Sequence, residues 1–213
     1  MMEQDLIIRH KIFFENFFQT EEELELFITA KLNCSNVLPR RMINTVQRLV
    51  TLSDEIEIIR PGRRDLSIFF IITCIEALFT FLPTKIQKQE MVIQMYEKHL
   101  NETDRKTIEQ SINVSLVDDT MFYKPEISIS EFALLLSSIR NNVAHEGNYW
   151  SFHFNEEGYE GRTLNIVKSK LIKDEGYKNI SYEVSLTYNQ FRDITVRTLI
   201  LFIEDYFQTI QHE

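Results

Sequence analysis

The stretch SISEFALLLSSIRNNVAH, residues 128–145, decides how this chain is read. Ser128 and Glu131 make the Ser-x-x-Glu pattern of a capping box, in which each side chain satisfies the other residue's free backbone N–H at a helix start. Behind it Leu134, Leu135, Ile139, Val143 and Ala144 recur at helical spacing, and Gly147 stands two residues past His145 as a stop. The pattern predicts a helix over 128–146 whose last turn carries Arg140, Asn141, Asn142 and His145.

Outward from this segment the chain keeps the same character. Only five glycines and four prolines occur, at 39, 61, 62, 83, 125, 147, 158, 161 and 176, which leaves long helix-compatible stretches between them. Helices are expected near 5–18, 21–33, 40–58, 63–82, 84–99, 102–115 and 188–210 in addition to 128–146. The last begins at a Thr187-x-x-Gln190 box and carries Phe191, Ile194, Thr198, Leu199, Phe202, Tyr206 and Ile210 on one stripe. Between Asn148 and Thr187 the period changes to two. Trp150, Phe152 and Phe154 alternate with polar residues, as do Ile180, Tyr182, Val184 and Leu186, and a third run covers 164–172. The expected fold is mainly α, a helical bundle with a small three-stranded antiparallel sheet inserted at about 148–187, before the C-terminal helix. Residues 1–60 read as an N-terminal helical extension and 61–213 as the main domain.

With 44% hydrophobic residues in 213, the chain can bury a sizeable core. Its two cysteines, Cys34 and Cys74, lie far apart with no Cys-x-x-Cys pair, and no cleavable apolar leader follows Met1, so a cytoplasmic protein with packing thiols is expected. The longest apolar run, Leu66 to Leu82, is 17 residues long and carries Ser67, Thr73 and Glu76. It reads as a buried core helix rather than a membrane span, because a carboxylate near the middle of a lone span is costly. No His-Glu-x-x-His, phosphate-binding glycine loop or nucleophile elbow occurs, so neither metal nor cofactor is expected.

The net charge of −9 opposes contact with a polyanion, but its distribution does not. Residues 1–30 alone hold −5, whereas residues 40–64, with Arg40, Arg41, Arg48, Arg60, Arg63 and Arg64 against three acids, hold +3. Arg60, Arg63 and Arg64 are candidate RNA contacts, and a solvated helix face with ordinary ion pairs is the competing reading.

The end of the 128–146 helix carries the chemistry. Arg140 supplies a planar cation that suits phosphate oxygens, and His145 an imidazole that exchanges protons near neutrality. With 12 arginines and 5 histidines, about 0.3 such spacings arise by chance, so the helix end, Asn141 and Gly147 carry the reading. Positions five apart lie about 140° apart on a regular helix, so the two groups meet one target only at a fraying end or across a two-fold axis. Asn141, four residues before His145, is placed to hold the imidazole. Asn142 and Tyr149 are secondary candidates for positioning a phosphate or base. Glu76, a carboxylate in an apolar helix, needs a cationic or hydrogen-bonding partner unless it reaches solvent.

Arg140-Asn141-x-x-Ala144-His145, together with a glutamate in the apolar helix at Cys74-Ile-Glu-Ala-Leu78, resembles the HEPN superfamily of helical domains found in prokaryotic toxins and phage-defence ribonucleases. The resemblance spans roughly residues 63–145. It implies an HEPN-like bundle and a metal-independent endoribonuclease in which Arg140 and His145 are catalytic, Asn141 holds the ring and Glu76 braces Arg140. It also implies a homodimer, RNA as substrate, and regulation by an antitoxin or other protein in a toxin–antitoxin or antiviral setting. One toxin branch continues the motif as His-x-Tyr, and this chain instead reads His145-Glu-Gly-Asn-Tyr149. Two other readings stay open: a non-catalytic module of the same scaffold that binds a nucleotide or protein, and a structural subunit docking through its inserted sheet.

Overall fold

The computed structural model describes residues 3–83, 85–116, 127–150, 152–155, 164–172 and 176–211. Among these residues eight α-helices run in chain order: α1 Glu3–Phe14, α2 Glu21–Leu32, α3 Val37–Ile59, α4 Arg64–Phe79, α5 Lys88–His99, α6 Glu102–Gln110, α7 Ile129–Asn141 and α8 Tyr188–Gln211. Three strands, β1 Ile112–Leu116, β2 Leu164–Ile172 and β3 Gly176–Val184, form one antiparallel sheet in the order β1-β3-β2. The protein is thus mainly helical with a small antiparallel sheet, most of it just ahead of the C-terminal helix.

The helix starts follow from local chemistry. Thr20 caps α2, accepting the Glu23 N–H at 3.2 Å, and Asn36 caps α3, accepting that of Leu38 at 2.9 Å. Ser128 and Glu131 close the expected capping box on α7, and Thr187 and Gln190 pair reciprocally at the start of α8. Each such cap satisfies a backbone donor that the helix itself leaves unpaired, at a value of about 1 kcal/mol.

Helix α4 is the hub. Ile68, Ile71, Ile72, Cys74, Ile75 and Leu78 are fully buried, as expected for a helix apolar over most of its circumference. It packs against α3, α5, α7 and α8. Burial pushes the Cys74 thiol pKa up, so this sulfur stays protonated core filling. A reciprocal pair of hydrogen bonds stitches α3 to α4: Ser53 Oγ donates to the Ser67 carbonyl at 2.8 Å, and Ser67 Oγ to the Ser53 carbonyl at 3.0 Å. Two polar clamps hold the long α8. Arg197 grips both oxygens of Asp104 from α6, at 2.8 and 2.7 Å, and Lys31 of α2 pairs with Glu204 between the rings of Phe27 and Phe207. The boundary expected near residue 60 falls at the turn between α3 and α4, and Phe14, Leu24, Met42 and Val46 before it share one core cluster with Ile71, Leu135 and Leu199 after it.

The structure corrects the expected elements in two places. The helix expected over 102–115 ends at Gln110, and Ile112–Leu116 is a strand, paired with β3 in the register Ile112↔Val184 and Val114↔Tyr182. These four side chains are buried. The physical cause is tertiary: alternating β-branched residues find a strand edge 70 positions away, and Ser111 anchors the ladder by accepting the Ser185 N–H at 2.8 Å. Conversely, the described residues of the stretch 150–155 do not join the sheet. The Phe152 N–H goes to the Asp65 carboxylate at 3.1 Å instead, while Phe152 and Phe154 insert into the core, Phe154 stacking on Phe191 at 5.1 Å. Burying each of these rings is worth about 1.5–3 kcal/mol, more than the ladder bonds forgone.

Candidate functional site

Helix α7 does not end as a regular α-helix. After Asn141 the chain makes one π turn, Asn142–Glu146, and Gly147 stops it in the left-handed region at φ 64°. The Asn142 carbonyl accepts N–H groups from both Gly147 and Asn148, the latter at 3.2 Å. Any residue with a Cβ is strained at position 147. A π turn rotates less per residue than an α-helix, so it narrows the angle separating Arg140 from His145.

The Arg140 side chain lies against α4, where Nη2 donates to Glu76 Oε2 at 2.7 Å and Nη1 to Asn141 Oδ1 at 3.0 Å. The two charged side chains are 10% and 12% exposed, so this is a largely desolvated ion pair. The Arg140 Nε–H is buried and has no partner among the described residues. A second cation reaches the same carboxylate: Lys88 Nζ lies 3.4 Å from Glu76 Oε2 with its side chain 66% exposed. One carboxylate therefore stands between two cations, and the cluster is net positive within an acidic protein.

Of the residues singled out from the sequence, Glu76, Arg140 and Asn141 meet directly. His145 is exposed on the π turn and shares no hydrogen bond with Asn141 among the described residues. The π turn explains this, because an i,i+4 pair no longer stacks where the hydrogen bonds run i to i+5, and the Asn141 oxygen turns to the guanidinium instead. Asn142 and Tyr149 are half-buried in the same segment, Tyr149 edge-on to Trp150 with ring centres 5.0 Å apart.

Arg60, Arg63 and Arg64 lie elsewhere, at the turn joining α3 to α4, and the 12-residue rise from Arg64 to Glu76 is ~18 Å. Arg64 is engaged there, 3.3 Å from Glu57 and stacked 4.4 Å over the Tyr188 ring. Arg60 is exposed and Arg63 half-buried, and neither side chain has a partner among the described residues. Lys88 escaped the sequence reading, because only the fold-back between α4 and α5 brings it to Glu76.

A cavity of about 1000 Å³ lies elsewhere again, lined by Phe79, Phe81, His99, Phe202 and Tyr206 among others, and contains none of the expected site residues. The Glu76 cluster is preferred as the candidate because chemistry, not volume, distinguishes it. No group of three or more metal-ligating side chains occurs among the described residues, and no described helix is long and apolar enough to cross a membrane. Comparison with family models, with curated proteins and with solved structures gives no match to this chain.

Proposed function

We propose that this protein is a metal-independent endoribonuclease of HEPN type. The carrying observation is the braced guanidinium: Arg140 is held by Glu76 and Asn141 at the end of a helix, with an exposed histidine five residues on in a π turn. In the reaction the ribose 2′-hydroxyl gives up its proton, its oxygen forms a bond to the adjacent phosphorus, and the bond to the 5′-oxygen breaks as that oxygen gains a proton. His145 exchanges a proton with one of the two oxygens, and Arg140 stabilises the charge that builds on the phosphoryl oxygens.

One imidazole cannot be base and acid at once, so a two-fold homodimer that brings a second His145 to the same phosphate completes the site. Lys88 adds the positive charge that a neutral Arg140–Glu76 pair lacks. The biological reading is a toxin or antiviral effector acting in the cytoplasm under the control of an antitoxin or other regulatory protein.

The near-complete burial of Arg140 favours a second reading, a non-catalytic module of the same scaffold that binds a nucleotide or a protein. Labelled single-stranded RNA incubated with the protein and EDTA separates the two. The nuclease gives 2′,3′-cyclic phosphate and 5′-hydroxyl ends, and Arg140→Ala or His145→Ala slows cleavage by about 10²–10⁴-fold. Intact RNA together with retained nucleotide binding supports the module instead.

A further inference from the structure

We infer that Trp150 stacks an unpaired base of a single-stranded RNA, with Arg60 and Arg63 holding the phosphates beside it. This deepens the nuclease reading and rests on it for the class of ligand. Trp150 is the chain's only tryptophan and is 57% exposed. The alternation of Trp150, Phe152 and Phe154 predicts one shared face, yet the two phenylalanines are buried and the indole is not. Tyr149 meets the indole edge-on with the planes 70° apart, which leaves a broad apolar face in water.

The path of the chain places that face. Arg140 is tied to Glu76 near the C-terminal end of α4, and the Phe152 N–H to Asp65 near its N-terminal end. The segment between them therefore runs back along α4, over the ~16 Å that 11 helical residues span. Trp150, two residues before the Asp65 anchor, lies within ~7 Å of chain from it. It is thus at the end of α4 that carries the turn with Arg60 and Arg63, whose side chains have no partner among the described residues. An exposed aromatic ring at the same end of a helix as unpaired arginines suits sequence-tolerant binding of a single strand, because every base offers a π face and every linkage a charge. Base-paired RNA does not offer its base faces to such a ring.

The single tryptophan makes the test direct. The full-length His145→Ala protein is titrated with a 2′-O-methyl single strand and with the matched duplex while indole fluorescence is followed. Saturable quenching by the single strand and not by the duplex is expected. Trp150→Ala, followed by anisotropy of a labelled strand, binds ~5–100-fold more weakly, whereas Trp150→Phe keeps most of the affinity. Removing Arg60 or Arg63 lowers the salt-dependence slope of binding by about 0.7 each. In the active protein Trp150→Ala raises KM and leaves kcat in place. Unchanged affinity and KM in Trp150→Ala overturn the proposal while leaving the nuclease reading intact. Quenching by the single strand together with absent cleavage leaves the stacking site standing and removes the nuclease.

Discussion

The two ends of α4 are built from the same residue types and differ in what they leave unsatisfied. At the N-terminal end Arg64 faces Glu57 and stacks on Tyr188, Tyr188 donates to Asp54 at 2.8 Å, and Arg192 grips both Asp54 oxygens at 3.2 and 3.3 Å. Arg64 and Arg192 each face a carboxylate, and the network joins α3, α4 and α8, while Glu57 Oε2 accepts no hydrogen bond among the described residues and Arg60 and Arg63 in the preceding turn stay outside the network. At the C-terminal end two cations share Glu76, one Arg140 donor has no acceptor, and the neighbouring histidine is exposed. Closed networks hold a fold together, whereas an excess of positive charge beside an exposed imidazole is poised for an anion.

The largest effect expected from this contrast is on cleavage. His145→Ala abolishes ~10²–10⁴-fold of the rate in a gel assay with EDTA and leaves the thermal midpoint within a degree or two, since an exposed side chain contributes little to stability. Tyr188→Phe does the opposite: it breaks the N-terminal network, costs roughly 1–3 kcal/mol in urea unfolding by leaving polar groups unpaired, and preserves kcat. A Tyr188→Phe protein that folds normally but no longer cleaves would show that the contrast is wrong.

Glu76 tests the C-terminal end from within. Glu76→Ala leaves a buried guanidinium without its counter-charge, with an expected loss of about 3–5 kcal/mol measured by denaturant unfolding. Glu76→Gln keeps one hydrogen bond and costs less, and it lowers kcat because Arg140 is no longer fixed. If both variants keep wild-type stability, the ion pair does not hold Arg140 in solution.

Lys88 gives a smaller effect. Its side chain is mostly in water, so Lys88→Ala leaves stability within ~0.5 kcal/mol. RNA binding weakens and its salt slope falls by about 0.7, with kcat retained. An equal loss in Lys98→Ala, at the other end of α5, would mean that only total charge matters.

These contrasts show which parts of the molecule were legible in the sequence. Helix positions were, because glycine and proline punctuate the chain and caps such as Ser128–Glu131 act within four residues. Strand β1 was not, because Ile112–Leu116 follows a helical pattern directly and its partner lies some 70 residues on. At the site, a carboxylate stranded in an apolar helix announced its need for a cation, and Arg140 meets it. The role of the Asn141 amide was misjudged because the π turn leaves no mark in residue spacing. Periodicity groups Trp150 with Phe152 and Phe154, and it cannot anticipate that an aspartate on α4 captures the Phe152 amide.

The smallest expected effect separates the pH dependence of folding from that of chemistry. His10 on α1 is fully buried, its Nε2–H donates to Asn44 Oδ1 at 2.9 Å, and its Nδ1 has no partner among the described residues. Burial holds its pKa below the ordinary 6.5, against the hydrogen bond to Asn44, which favours the charged ring, and Arg40 adds to the lowering. The folded protein therefore resists protonation that the unfolded chain accepts. Above pH about 6.5 both states carry a neutral ring and stability is level; as pH falls through 6.5 toward the depressed folded value, the unfolded state binds more protons and stability declines. Thermal midpoints measured from pH 7.5 to 5 should fall in wild type and in His145→Ala alike, and fall less in His10→Gln. Activity should show the converse, with His145→Ala slowing cleavage and His10→Gln leaving it. If His145→Ala flattens the stability curve, the imidazole on the π turn is engaged in the fold, and the contrast between the Asp54 network and the Glu76 cluster fails at the residue on which the proposed chemistry depends.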